Sequence, residues 1–396
     1  MRDQLVEKYI NYKSLAGMID MENKRPYLDF YDQIGDKVVS RIIEDELEFF
    51  RTRSALYMSL GIAKGFLKDK AILEFGPGSG HNSIFTASLG PSKYVLVDGG
   101  KKILEAAKRR LSKSVLSPKR ITYINSLFEE YQSDEYFDLV IAEACIPMQE
   151  DPAAMLKTVA AHVKPGGVLI ITTISAVSYL SEIMRRLGRD MRMKSDVNSK
   201  KQLEILRPLY QSHLATLTGL SRSVDDWLLD NIVQPLNVQK LLTIPEAIES
   251  LEDNFELLGS SPRFVTDWRW HKTMTAETPE INNTARLCYY STNINLLDYR
   301  FETKDHDPML GKDLELECAK LWYEMISIEN DRHSDWHLIW STLDSIARII
   351  AELGPRTTPA LDEARRWVQG GALESTLIDF PYWWGRGQQY VSFVRR

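Results

Sequence analysis

AILEFGPGSGHNS, residues 71–83, is an apolar run that closes on an acid and an aromatic and then gives three of its next five positions to glycine. A continuous apolar run of that length reads as a strand buried on both faces. The glycines after it strip side chains from the carboxyl end of the strand, where open α/β sheets hold ligands against bare backbone. The same reading extends outward. YVLVD (94–98), ITYIN (121–125), FDLVIAE (137–143) and VLIITTIS (168–175) are further continuous runs. Between them KKILEAAKRRL puts Ile103, Leu104, Ala107 and Leu111 on one helical face, and AAMLKTVAAHV does so with Leu156, Val159, Ala160 and Val163. KPGG (164–167) halts the second helix before its following strand. Repeated strand, helix, strand predicts an α/β fold with a doubly wound, mostly parallel sheet.

The flanks carry a different rhythm. Residues 1–66 read as a helical N-terminal segment, with Leu47, Phe50, Ala55, Leu56 and Leu60 at three- and four-residue spacing. After Ser175 strand signals stop until about residue 240, so 176–240 is predicted to be a helical insertion within a core spanning 67–275. IPEAIESLED (244–253) reads as a helix, FELLGSS (255–261) as a strand and VTDWRWHKT (265–273) as a further strand. Residues 276–396 form a C-terminal helical region that ends on FPYWWGRGQQYVSFVRR.

Composition narrows the function classes. The chain has 396 residues, 44% of them apolar and 26% charged, which is globular composition. A formal net charge of -6 argues against a broad nucleic-acid surface. Cys145, Cys288 and Cys318 have no paired spacing, which fits a reducing cytoplasm better than a disulfide framework. No stretch has the ~18 apolar residues of a spanning helix, so no membrane partner is expected. No metal is expected either: His333 and His337 are four apart, but HSDWH lacks the glutamate of a zincin. There is no G-x-S-x-G elbow.

The loop chemistry is more specific. A dinucleotide fingerprint would place its last glycine where His81 stands, and no Gly-Lys-Ser/Thr follows for a phosphate loop. Glu74, Asp98 and Glu143 each end a strand at the same sheet edge, an arrangement that suits a cationic ligand rather than a pyrophosphate. Asp98 lies 18 residues after Gly80, near the ~20 at which an acid meets ribose hydroxyls.

Taken together, E-x-G-x-G-x-G, the acid closing the second strand, FDLVIAE and KPGG resemble a class I S-adenosylmethionine-dependent methyltransferase over roughly residues 70–175, and in outline over 244–273. The resemblance implies a seven-stranded sheet whose last, antiparallel strand comes from 255–273. It implies S-adenosyl-L-methionine as cofactor, with S-adenosyl-L-homocysteine as product. By position, Gly76, Pro77, Gly78 and Gly80 would border its methionine part, with Glu74 at the head of the loop. Asp98 and Gly99 would meet the ribose, Ser126 and Leu127 the adenine, and Glu143 the sulfonium side. Ser126 departs from the Asp often found there, and Gly99-Gly100 from a bulkier pair.

Methyl transfer needs alignment more than it needs catalytic groups. Where the acceptor is a hydroxyl or ammonium, a base is required, and His81, Glu143 and His271 are the candidates. Tyr179, Glu182, Trp268 and Trp270 are candidate acceptor contacts. Arg185, Arg186, Arg189, Arg192, Lys194, Lys200, Lys201 and Arg207 make the insertion basic, either as an anion-binding wall or as a solvated helix face. Trp383, Trp384 and Arg386 either cover an acceptor or anchor the chain end. The expected function is methyl transfer to O or N of a small or medium-sized molecule, the insertion serving as lid. An RNA or peptide acceptor and a non-catalytic cofactor-binding scaffold are the alternatives; oligomeric state is not indicated.

Overall fold

The computed structural model describes residues 43 and 45–396, apart from 114–116, 148, 194–198, 221, 237–239, 274–277, 331–334 and 372–373. Most of the expected N-terminal helical segment, together with Lys194 and His333, therefore lies outside the described residues. Seven strands form one sheet: β1 (Ala71–Phe75), β2 (Lys93–Asp98), β3 (Ile121–Asn125), β4 (Phe137–Ala142), β5 (Val163–Thr173), β6 (Phe255–Ser261) and β7 (Gln389–Arg395), in the order β3-β2-β1-β4-β5-β7-β6. The helices are α1 (Glu46–Ser59), α2 (His81–Ser88), α3 (Lys101–Leu111), α4 (Pro152–Ala160), α5 (Leu180–Arg192), α6 (Ser199–Leu214), α7 (Val224–Leu228), α8 (Ile244–Leu251), α9 (Thr278–Thr292), α10 (Pro308–Asn330), α11 (Trp336–Leu353) and α12 (Thr358–Val368).

β1 to β5 pair in parallel, and β7 runs antiparallel between β5 and β6. Because side chains alternate across a strand, each apolar run feeds two cores. Leu73, Phe75, Val95, Val97, Val140 and Leu169 pack on one face, and Ile72, Tyr94, Leu96, Ile141 and Ile170 on the other. The doubly wound sheet expected from continuous runs is what forms.

One expectation is overturned. The antiparallel strand next to β5 is not built from 255–273, of which 255–261 forms β6 at the sheet edge; it is Gln389–Arg395. Residues 264–273 form an exposed loop ending in the single turn His271–Thr273. VTDWRWHKT has charges too closely spaced for a central strand, whereas Val391 and Phe393 of QYVSFVR are fully buried between β5 and β6. The C-terminal region thus ends inside the core sheet, and a boundary at 275 leaves that sheet open.

The insertion is helical as expected, and its basic residues divide: Lys200, Lys201 and Arg207 of α6 are exposed on a solvated face, whereas the α5 arginines turn into the fold. In α5 Leu180, Ile183, Met184 and Leu187 are buried, and so are Arg185 and Arg186. A Cβ on Gly188 would fall 1.9 Å from Cζ3 of Trp367 on α12, so only glycine admits that helix crossing. Arg186 bonds Glu329 of α10 through Nε (2.7 Å) and Nη2 (2.9 Å). Arg189 pairs with the same glutamate at 2.6 Å, and Arg192 donates to the Trp367 carbonyl at 2.6 Å. Arg185 lies over the Trp384 ring at 3.5 Å and donates to the carbonyls of Ser181 and Trp383. Trp383 and Trp384 are fully buried, so the aromatic tail anchors the insertion to the C-terminal helices. The basic reading failed here because buried and exposed arginines look alike in sequence; their partners, Glu329 and backbone carbonyls, arrive from far along the chain.

Candidate active site

The strands β1, β2, β4 and β5 all end at one edge, and a single cavity of about 790 Å³ opens there. Its floor is the loop after β1. Gly78 has φ +54°, and a Cβ there would meet nothing within 4 Å, so the backbone faces open space. Gly76, at φ +65°, packs where a Cβ would lie 3.0 Å from Cβ of Cys145. Gly76, Pro77, Gly78 and Ser79 line the cavity. Gly80 does not. Its missing Cβ makes room for α3, 3.0 Å from Cα of Ala107, so this glycine sets how α2 meets α3.

Asp98 and Gly99 line the adjoining wall, the Asp98 Oδ1 accepting the Gly100 N–H at 2.8 Å. Burial pushes the Asp98 carboxyl up to about 6, against the pull of the Gly100 and Gly78 N–H groups. Ile103, Leu127 and Phe128 add an apolar side. Ser126 turns away, its hydroxyl bonded to the Leu127 carbonyl at 2.9 Å.

Glu74 also leaves the site. It shares the β1 face of Ile72, away from the cavity, and accepts hydrogen bonds from Ser83 Oγ (3.0 Å) and the Tyr94 hydroxyl. Burial pushes its carboxyl up to about 7, against those two donors. Between its ordinary 4.5 and about 7 the folded state holds a proton that the unfolded state has released, so this group's contribution to stability is lost as pH rises through that window. Glu74→Gln is expected to remove that slope, at most ~1.4 kcal/mol per pH unit. Urea unfolding at pH 5 and pH 8 reads it, and a slope equal to that of the unsubstituted protein would discard the assignment.

Glu143 does line the cavity, but in company sequence reasoning missed. Arg53 of α1 reaches it with both terminal nitrogens, Nη1–Oε2 at 3.1 Å and Nη2–Oε1 at 2.6 Å, and Asn82 Nδ2 adds a third bond at 2.8 Å. Arg53 is only 4% exposed and Glu143 8%. The single signal available was an arginine on an otherwise ordinary amphipathic helix, which does not name a partner 90 residues away. Next to Glu143, Ala144 sits at φ +59°, held by its N–H to Thr172 Oγ1 at 2.7 Å. A non-glycine residue in that region marks strain that the surrounding structure must hold.

His81 lines the cavity, buried, with Nδ1 2.7 Å from Ser79 Oγ. His271 does not belong to the site: it is exposed and stacks edge-on with Trp270. Trp268 and Trp270, 92% and 60% exposed, are likewise outside. These three fail together because the strand expected to carry them is a surface loop.

The far wall is the insertion. Tyr179, Glu182 and Ile183 face the cavity from the start of α5, with Arg222, Asp230, Asn231, Gln234 and Leu236 beyond them. Asp230 and Asn231 belong to a π-helical turn, Leu229–Val233, which follows α7. Trp322 of α10 and Gln388 close the end. Gln388 arrives there because β7 is antiparallel: Gln389 pairs with Thr173, so the start of β7 lies at the carboxyl end of β5.

A family model described as a methyltransferase domain matches residues 49–213. Residues 49–213 carry a methyltransferase domain. A curated relative, the mitochondrial ubiquinone biosynthesis O-methyltransferase of Schizosaccharomyces pombe, is 34% identical over 106 residues, which are 27% of this chain and 38% of that protein. Among solved structures, an S-adenosylmethionine-dependent methyltransferase from Mesorhizobium loti is 22% identical, with 28% of this chain and 50% of that one covered, at a TM-score of 0.26. Magnesium protoporphyrin IX methyltransferase from Synechocystis PCC 6803, solved with bound SAM, is 18% identical over 39% of this chain and 77% of its own, at a TM-score of 0.32. The chain spans well under two thirds of the curated relative it matches. The methyltransferase domain match runs from α1, which supplies Arg53, into α6, so it takes in part of the cavity's far wall; α10, Trp322 and Gln388 lie beyond it. Among the described residues no group of three His, Cys, Asp or Glu side chains is placed to hold a metal, and no helix is long and apolar enough to cross a membrane.

Proposed function

We propose that this protein transfers a methyl group from S-adenosyl-L-methionine to O or N of a small or medium-sized molecule enclosed between the sheet edge and the insertion. The observation that carries the reading is the single cavity running from the Gly76–Gly78 backbone and Asp98 to Tyr179, Glu182 and Trp322. Bare backbone at Gly78, a mostly buried carboxylate at Asp98 and the apolar side of Ile103, Leu127 and Phe128 fit, in that order, a charged amino-acid end, a ribose and an adenine. When bound, the cofactor supplies both the activated methyl and its leaving group. The protein's own residues have the remaining work: the loop and Asp98 hold the donor, while the insertion and Trp322 hold the acceptor about 3 Å away and exclude water.

Glu143 supports alignment more than proton transfer, since both its oxygens are taken by Arg53. The name of the curated relative favours oxygen as the acceptor atom. The interior use of Arg185, Arg186, Arg189 and Arg192 weakens the case for an RNA acceptor, since it takes four of the eight cations of that cluster away from the surface. Cys145, Cys288 and Cys318 are all free thiols, in keeping with a reducing cytoplasm.

Titration calorimetry tests the reading. S-adenosyl-L-homocysteine is expected to bind saturably and NAD not at all; the opposite pattern rejects it.

A further inference from the structure

The far wall of the cavity also bears on what the acceptor is, given the methyltransferase reading on which this inference rests. Its cations are already committed. Arg186 is bound to Glu329 and to the carbonyls of Asn231 and Gln234 at 2.7 and 2.9 Å. Arg222 is paired with Asp230, and the Arg185 guanidinium turns away from the cavity onto Trp384 and backbone carbonyls. At this wall an acceptor carrying a carboxylate or phosphate would therefore meet, among the described residues, no uncommitted cation, the cavity's two lysines, Lys101 and Lys102, following Asp98 on the opposite side.

Glu182 stands in the opposite condition. It lines the cavity and takes a side-chain hydrogen bond from Ser181 Oγ at 2.7 Å, and among the described residues no lysine or arginine forms an ion pair with it. Burial raises its carboxyl above the ordinary range, against the through-space pull of Arg185. The same part of the cavity lining includes apolar and aromatic groups: Ile183, Leu236, and Trp322 set edge-on to Tyr179 at 6.5 Å. Such a carboxylate has capacity to accept further hydrogen bonds from a molecule in the cavity.

We propose that Glu182 receives the proton of the acceptor, and that the acceptor is a protic O–H or N–H nucleophile on an apolar, ring-bearing body rather than an anion. The nucleophile's lone pair forms the bond to the transferred carbon as the bond from that carbon to sulfur breaks, its electron pair staying on sulfur. The O–H or N–H proton passes to Glu182, which becomes a neutral acid and later returns the proton to solvent. Charge balances, since one cation and one carboxylate become a thioether and a carboxylic acid.

The test uses the full chain saturated with S-adenosyl-L-homocysteine, into which phenol, benzylamine and benzoate are titrated in turn by calorimetry. Phenol or benzylamine is expected to bind more tightly than benzoate, the tighter of the two naming the acceptor atom. Glu182→Gln is expected to weaken that probe roughly 10- to 100-fold, the cost of a hydrogen bond to a charged group, and to leave S-adenosyl-L-homocysteine affinity unchanged. Benzoate binding most tightly, no probe binding at all, or equal affinity in the variant would each overturn the proposal. Should the variant not fold, the order of the three probes on the unsubstituted protein still decides. Absence of S-adenosyl-L-homocysteine uptake is a separate result, and it removes the methyltransferase reading itself.

Discussion

Arg53→Leu is expected to cost about 3–5 kcal/mol of folding stability, because it leaves the Glu143 carboxylate buried with no cation. The two side chains are 5% and 7% exposed, so solvent cannot replace the lost partner. Asn82 Nδ2 would be the one remaining donor of the three. The Arg53 guanidinium also lies 5.3 Å from the centre of the Tyr57 ring, a contact the substitution removes. A double-mutant cycle isolates the ionic part. Replacing both partners, Arg53→Leu with Glu143→Leu, is expected to recover most of the loss, since neither charge is then left buried. Equilibrium urea unfolding of the four proteins measures it. A single variant within 1 kcal/mol of the unsubstituted protein, against the ~3–5 expected, would show that water reaches Glu143. The wider consequence concerns the site: a helix that precedes the first strand holds the acid at its centre, so changes at α1 should be felt at the cavity floor.

Asp98→Ala should weaken S-adenosyl-L-homocysteine binding roughly 10- to 100-fold, the expected cost of losing hydrogen bonds to a charged acceptor. The pH dependence gives a sharper signature than the affinity alone. With its carboxyl at about 6, Asp98 is increasingly protonated below that value, and a protonated acid accepts ribose hydroxyls poorly. Affinity in the unsubstituted protein should therefore fall as pH drops through about 6, and Asp98→Asn should bind weakly with that dependence gone. The stability sign is opposite. The carboxyl is raised above its ordinary 3.8, so without ligand this group's contribution to stability is present below 3.8 and lost as pH rises through about 6. A variant that keeps full affinity, or keeps the inflection near 6, removes Asp98 from the ribose.

Much of the fold was determined within the sequence. Each parallel strand is a continuous apolar run and each flanking helix an amphipathic one, and these are local patterns that a neighbour in the fold does not alter. That Gly76, Gly78 and Asp98 come to the cavity edge was readable for the same reason: a strand that ends in glycines or an acid carries its geometry with it. The position of Tyr179 and Glu182 in the cavity lining followed from their place just past the fifth strand. What the sequence did not decide depends on contacts between distant segments. Direction along β1 does not say which face Glu74 takes, since period-two alternation puts Phe75 and Glu74 on opposite sides and only the packed helices determine which side is the cavity. Gly80 looks like its two neighbours in the motif until α3 is seen to pass 3.0 Å from it. The seventh strand comes from residues 389–395 because two sheet positions beside β5 were still to be filled and the chain end supplied the apolar partner. Arg53 on Glu143, Arg186 on Glu329 and Gln388 at the cavity rim share that origin. A charge finds its partner through three-dimensional proximity, and loop closure over tens or hundreds of residues leaves no local trace of which partner that is.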